Sequence, residues 1–253
     1  MVRALFERGV TPDLVLGTSV GALNGLVVAS DPTPRAVDQL LELWRAVSDN
    51  NEVYSDRAWR QVSRAVRTGT HLHSADPLRA RLEQEFGGVC FSGLAVEFQC
   101  CAASIERAAE HWFTRGPVVP AVMASAAVPG LLPPAVVDGE HYLDGGIVNS
   151  IPLGRAVELG ADRVFVLQVG RVDRPLEAPR KPWQVARVSF EIARRHRFVK
   201  DLAELPEGVV AHVLPAAGSA KDDSPLAYRD TSRVARRIEA AYDASLAYLD
   251  EHL

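Results

Sequence analysis

Lysine is nearly missing: Lys181, Lys200 and Lys221 are the only three, and arginine carries the rest of the positive charge. With so much Ala and Val, that bias suggests a GC-rich, bacterial genome rather than a function. Cysteine is scarce too. Cys90, Cys100 and Cys101 make an odd count with two adjacent, which fits neither a disulfide framework nor a metal-ligand spacing and favours a reducing compartment. No metal or cofactor is expected. No apolar run approaches a membrane span, and nothing ahead of the first helix has the make-up of a signal peptide, so a cytoplasmic location is expected. The net charge of −4 is small for 253 residues, giving no reason to expect a nucleic-acid partner. Internal repeats are also lacking, and nothing in the chain indicates an oligomeric state.

What is present is an apolar fraction of 47% in 253 residues, ample for the core of a single domain spanning 1–253. The chain is organised around Leu14 to Gly25. Leu14-Val15-Leu16 reads as a short apolar strand, Gly17-Thr18-Ser19-Val20-Gly21 as a sharp turn, and Ala22 to Val28 as a buried helix. Strand, serine between glycines and helix make a nucleophile elbow. Close passage of strand and helix leaves no room for bulk two residues before or after the serine, at Gly17 or Gly21. Ser19 is expected in a strained conformation with its hydroxyl exposed, and the helix behind it aims free N–H groups, Val20 first, at any anion forming there.

Elsewhere, Val2 to Arg8 reads as a helix closed by Gly9. Arg35 to Val47, Ser55 to Val66 and Leu78 to Phe86 read as helices, so that about 35–86 forms a helical cap segment without a convincing strand. Leu94 to Ala103 is a core strand, with Glu110 to Thr114 beside it. Pro117 to Ala127 is a small-residue helix. Ala135-Val136-Val137 and Glu140-His141-Tyr142-Leu143 form a hairpin about Asp138-Gly139. Val164 to Val169 reads as a central parallel strand. Trp183 to Leu205, a strand from Val209 to Leu214, and a helix from Arg229 to Leu249 complete the chain. Helices alternating with apolar strands predict an α/β fold, a three-layer α/β/α sandwich with a mostly parallel central sheet.

An activated serine needs a base. His196 lies in a basic helical stretch and His212 within a strand, so neither is presented on a loop at a strand end as a catalytic histidine is. Asp144 follows a short strand and is released from regular structure by Gly145-Gly146. A carboxylate bonded directly to a serine hydroxyl can take its proton when burial raises its basicity. Taken alone, Asp-Gly-Gly is equally the composition of a simple turn.

Three blocks in order, Gly17-Thr18-Ser19-Val20-Gly21, Ala124-Ser125-Ala126-Ala127-Val128-Pro129-Gly130 with Pro133-Pro134, and Asp144-Gly145-Gly146-Ile147-Val148-Asn149 before Pro152, resemble the blocks of patatin-like phospholipases, over about Val2 to Gly170. The resemblance implies a patatin-like fold that hydrolyses acyl esters, often of phospholipids, with Ser19 as nucleophile and Asp144 as base. It implies Gly17, Val20, Gly21, Gly145 and Gly146 as elbow and oxyanion support, and a lipid or acyl-ester substrate. The family also begins with a strand and a glycine-rich oxyanion loop ahead of the first helix. Here Met1 already falls in the segment matching that helix, so the expectation is a gene start placed at an internal methionine. The alternatives are a weak or inactive lipid-binding pseudoenzyme, or an acyltransferase using the same dyad. Arginine faces at Arg57, Arg60, Arg64 and Arg67 and around Arg194 to Lys200 suggest peripheral contact with anionic membranes, or else ordinary solvated faces balanced by acids such as Glu191 and Asp201. Trp44 and Trp59 read as packing residues.

Overall fold

The apolar run from Leu14 becomes a strand because it is needed beside a longer one. In the computed structural model, which describes residues 1–49, 70–168, 175–216 and 231–253, β1 (Leu14–Thr18) pairs in parallel with β2 (Glu97–Ser104). β3 (Ala109–Phe113) runs antiparallel along β2 from Cys100 to Ser104. β5 (Glu140–Asp144) is antiparallel to both β2 and β4 (Ala135–Val137). The hairpin between β4 and β5 turns on Asp138 and Gly139, both at positive φ, +51° and +82°, as a two-residue turn matched to strand twist requires.

Registers within this five-stranded sheet decide where the site lies. A strand has two edges, and β3 occupies one edge of β2. β1 occupies the other edge up to Cys101, opposite Thr18, and β5 continues on that edge from Ala102, opposite Asp144. β1 and β5 therefore run towards each other along one edge, and their C-terminal ends meet.

Helices cover both faces. Phe98, Cys100 and Ala102 of β2 point into a core shared with α2 (Val20–Ser30), α4 (Asp76–Phe86) and α5 (Val118–Ser125). α3 (Arg35–Asp49) packs on the outer side of α2 through Ala36 and Leu43. On the opposite face, Gln99 accepts from Arg155 of α6 (Leu153–Glu158) at 3.1 and 3.0 Å, and α7 (Pro182–Ala203) lies beyond it. The α/β layering is as the alternation predicts, but the sheet is mixed rather than mostly parallel, because β3 folds back from β2 as a hairpin and β5 runs antiparallel along its other edge.

The segment expected as a central strand forms a shorter one. β6 (Arg163–Val166) pairs only with β7 (Val210–Val213), in parallel, as a separate two-stranded sheet among the described residues. Val164 and Val166 pack towards Phe198 of α7, and Phe165 packs towards Leu249 of α8 (Thr231–His252) and Leu5 of α1 (Val2–Glu7). Its apolar character comes from helices on two faces, not from strands on two edges. Of the segment 35–86, both terminal helices lie in the helix layer. The expected helix from Ser55 to Val66, with Trp59 and the arginines 57, 60, 64 and 67, lies outside the described residues. No described helix is long and apolar enough to cross a membrane.

Candidate active site

Ser19 sits between the last residue of β1 and the first of α2, with φ +57° and ψ −124°. A side-chain-bearing residue in that region carries strain of about 1–3 kcal/mol, which the surrounding structure must hold. The glycines beside it are not equivalent. A Cβ on Gly17 would lie 2.5 Å from the Gly21 carbonyl oxygen and 2.6 Å from the Ala22 Cα, so the first glycine is sterically required. A Cβ on Gly21 would meet nothing within 4 Å, which corrects the expectation of symmetric crowding. Val20 opens α2, and its N–H is one of the first-turn donors that a helix leaves without an intrahelical acceptor.

Head-on approach of β1 and β5 brings Asp144 to this serine. The Ser19 hydroxyl donates to Asp144 Oδ2 at 2.5 Å, across 125 residues of sequence. The Gly146 N–H donates to Oδ1 at 2.7 Å, so its support goes to the carboxylate. Gly145 has no room for a side chain because a Cβ would press on the Cys101 carbonyl, and one on Gly146 would lie 3.0 Å from Phe190 of α7.

Asp144 is fully buried. Burial pushes its carboxyl up to about 6, while the Ser19 hydroxyl, the Gly146 N–H and the Arg194 guanidinium on α7 favour the charged form. A carboxylate so placed is a better base than one in water and is ionised at neutral pH. If it is the base, kcat/KM for any ester rises with pH through a limb centred near 6. A limb near 4, the ordinary carboxylate range, would show that Asp144 does not limit the reaction.

Polar groups not singled out from the sequence surround the pair. Ser125 Oγ accepts the Ser19 N–H at 2.9 Å. Thr18 Oγ1 donates to the Asn149 carbonyl at 2.8 Å, and Asn149 Nδ2 donates to Glu110 of β3 at 3.0 Å. Glu110 in turn is 3.5 Å from Arg197 of α7. The only sequence signal for Ser125 is a hydroxyl alone in an alanine- and valine-rich run. The Ser19 hydroxyl bonds Asp144 and neither of these histidines: His196 is an exposed residue of α7, and His212 is buried in β7, stacked on Phe165. Trp44 donates to Asn24 at 2.8 Å and packs against the core. Cys100 and Cys101 are buried strand residues whose thiols burial pushes up, away from nucleophilic use.

The patatin-like phospholipase family model matches residues 1–157. The chain belongs to that family. Among curated relatives, lysophospholipase nte1 of Emericella nidulans is 29% identical over 173 residues, covering 68% of this chain and 11% of that protein. Lysophospholipase NTE1 of Phaeosphaeria nodorum matches to the same extent. A patatin-like phospholipase domain-containing protein of Caenorhabditis elegans is 30% identical over 176 residues, 68% of this chain and 15% of that protein. The chain thus spans a small fraction of the relatives it matches. The patatin-like match runs from α1 into α6, the segment that holds Ser19, Ser125, Asp144 and Asn149.

Proposed function

We propose that this chain is a serine lipid acyl hydrolase whose Ser19–Asp144 dyad cleaves the carboxylic ester of lysophospholipid-type substrates through an acyl-enzyme. The observation carrying this is the hydroxyl-to-carboxylate hydrogen bond at a strained elbow, in a chain of a phospholipase family. Ser19 Oγ bonds to the ester carbonyl carbon as its proton passes to Asp144 Oδ2. The Val20 N–H and the N-terminus of α2 face the developing oxyanion. Collapse breaks the bond to the alcohol oxygen, which takes the proton from Asp144. Water then gives Asp144 a proton and attacks the acyl carbon. The fatty acid leaves, and Ser19 Oγ recovers the proton.

Contact with a lipid surface is part of this reading, on different residues from those expected. Arg194 and Arg195 lie 3.1 and 3.2 Å from Glu191, and Arg197 lies 3.5 Å from Asp201, so these arginines are internally matched. Val185, Ile192 and Val199, seven residues apart on α7, are 50, 55 and 56% exposed and form an apolar stripe on the outer side of the helix, away from Phe190, which abuts Gly146. Ile192→Asp is expected to lower hydrolysis of vesicle-borne lipid by about tenfold, from lost apolar burial, while sparing a soluble short-chain ester. Equal loss on both substrates would contradict the role.

The test of function is fatty-acid release from a lysophosphatidylcholine by the wild type and by Ser19→Ala. Release that requires Ser19 supports a hydrolase. Acyl transfer to added alcohol in preference to water would favour the transferase. Lipid binding without turnover would indicate the pseudoenzyme.

A further inference from the structure

Ser125 closes α5, is fully buried, and carries the hydroxyl oxygen that accepts the Ser19 N–H at 2.9 Å. Two residues on, the Ala127 carbonyl accepts the Asp144 N–H at 2.9 Å. One three-residue stretch therefore holds the backbone amides of two residues that arrive on different strands. β1 and β5 meet end to end and share no ladder of their own, so the sheet alone leaves their separation to whatever bridges the junction. The pairing of β1 with β2 ends at Thr18, which leaves the Ser19 N–H without a partner across the sheet. An orphaned donor at a backbone already strained would favour relaxation of the turn.

We propose that Ser125 is a positioning residue of the elbow: its hydroxyl anchors the Ser19 amide, and the stretch Ser125–Ala127 sets the distance between Ser19 and Asp144. The inference rests on Ser19 being the nucleophile, as argued above. Ser125 touches the nucleophile's backbone and no reacting atom, so its effect is on how often the Ser19 hydroxyl is aligned with the carboxylate and with the substrate.

Ser125→Ala removes one oxygen from a buried position. The expected result is a fall in kcat of about 10- to 100-fold, the consequence of leaving a donor unpaired, with KM changed by less than about twofold because substrate contacts are untouched. The acid limb should also move to higher pH. The Ser19 hydroxyl is one of the groups holding the Asp144 carboxyl down. The others that do so, the Gly146 N–H and Arg194 of α7, stay in place, as does the neighbouring Cys101 thiol of β2, which Asp144 itself pushes up. Ser125→Cys retains a weak acceptor of similar shape and should fall between the two. A purely space-filling role predicts that the larger sulfur is no better than alanine and that the limb stays put.

A measurement independent of turnover completes the test. Amide hydrogen exchange at Ser19, read by NMR, should accelerate at least about tenfold in Ser125→Ala through local opening, while exchange at Ala22, whose N–H bonds the Ser19 carbonyl at 2.9 Å, changes less. Unchanged exchange at Ser19 would overturn the anchor, as would an unchanged kcat in an active enzyme. If the wild type turns over no acyl ester, the nucleophile reading fails on its own, and the exchange result still decides whether Ser125 anchors the turn.

Discussion

Asp144→Asn is expected to lower kcat by about 10⁴-fold, the scale seen when a catalytic carboxylate is replaced by its amide, and at the same time to make the protein harder to unfold at pH 8. Both effects have one origin. The carboxyl is pushed up from 3.8 to about 6 in the folded chain, chiefly by burial, so the unfolded chain gives up its proton first. As pH rises from about 4 to about 6, folding stability from this group declines, and above that window the native state carries an ionised group it disfavours. Linkage puts the cost at about 3 kcal/mol at pH 8. Asparagine keeps the shape and an acceptor for the Gly146 N–H without the charge. Urea unfolding should show Asp144→Asn more stable than wild type at pH 8, with the difference shrinking as pH falls through about 4 and vanishing roughly one unit lower, where both states of the wild type are protonated. A variant less stable than wild type at pH 8 would show that the fold does not disfavour the ionised carboxylate.

Gly145→Ala is expected to destabilise the protein by about 3 kcal/mol or more, as forced overpacking against backbone does. The new methyl would press on the Cys101 carbonyl and lie 2.9 Å from Thr18 Cγ2, at the junction where β1 and β5 meet on β2. No flexible side-chain end is there to yield. Gly17→Ala meets the same obstacle from Gly21 and Ala22 backbone. Gly21→Ala is the control: its methyl points into open space within a helix, where alanine is favoured over glycine by up to about 1 kcal/mol. Thermal unfolding of the three variants should separate them sharply. Similar melting temperatures for all three would mean that strand and helix do not pass as closely as the geometry has them.

The elbow was legible because its signals are local. A strand of three apolar residues, a serine between glycines and a helix of small residues follow one another with no gap, and Asp138-Gly139 marks its hairpin just as directly. The expected blocks from Leu94, Pro117 and Trp183 appear as β2, α5 and α7 with ends shifted by a few residues. What stayed hidden depends on register. That Thr18 and Asp144 face neighbouring residues of β2 follows from pairings more than 40 residues apart, which no periodicity encodes. The run at Val164 looked central because two helix-covered faces and two strand-covered edges select the same apolar residues. Ser125 stands out in the sequence only as part of a block, since a single buried hydroxyl carries no mark of the amide it holds. Gly21 looked identical to Gly17, and only the direction of its missing Cβ separates them.

The most direct measurement is covalent. The wild type, Ser19→Ala and Asp144→Asn should each be incubated with a fluorophosphonate and weighed intact, with the adduct then located by peptide mapping. The dyad predicts one adduct on Ser19 in the wild type, none in Ser19→Ala, and labelling slowed by about 10⁴-fold in Asp144→Asn. An unlabelled wild type, or one whose adduct persists in Ser19→Ala, would contradict it.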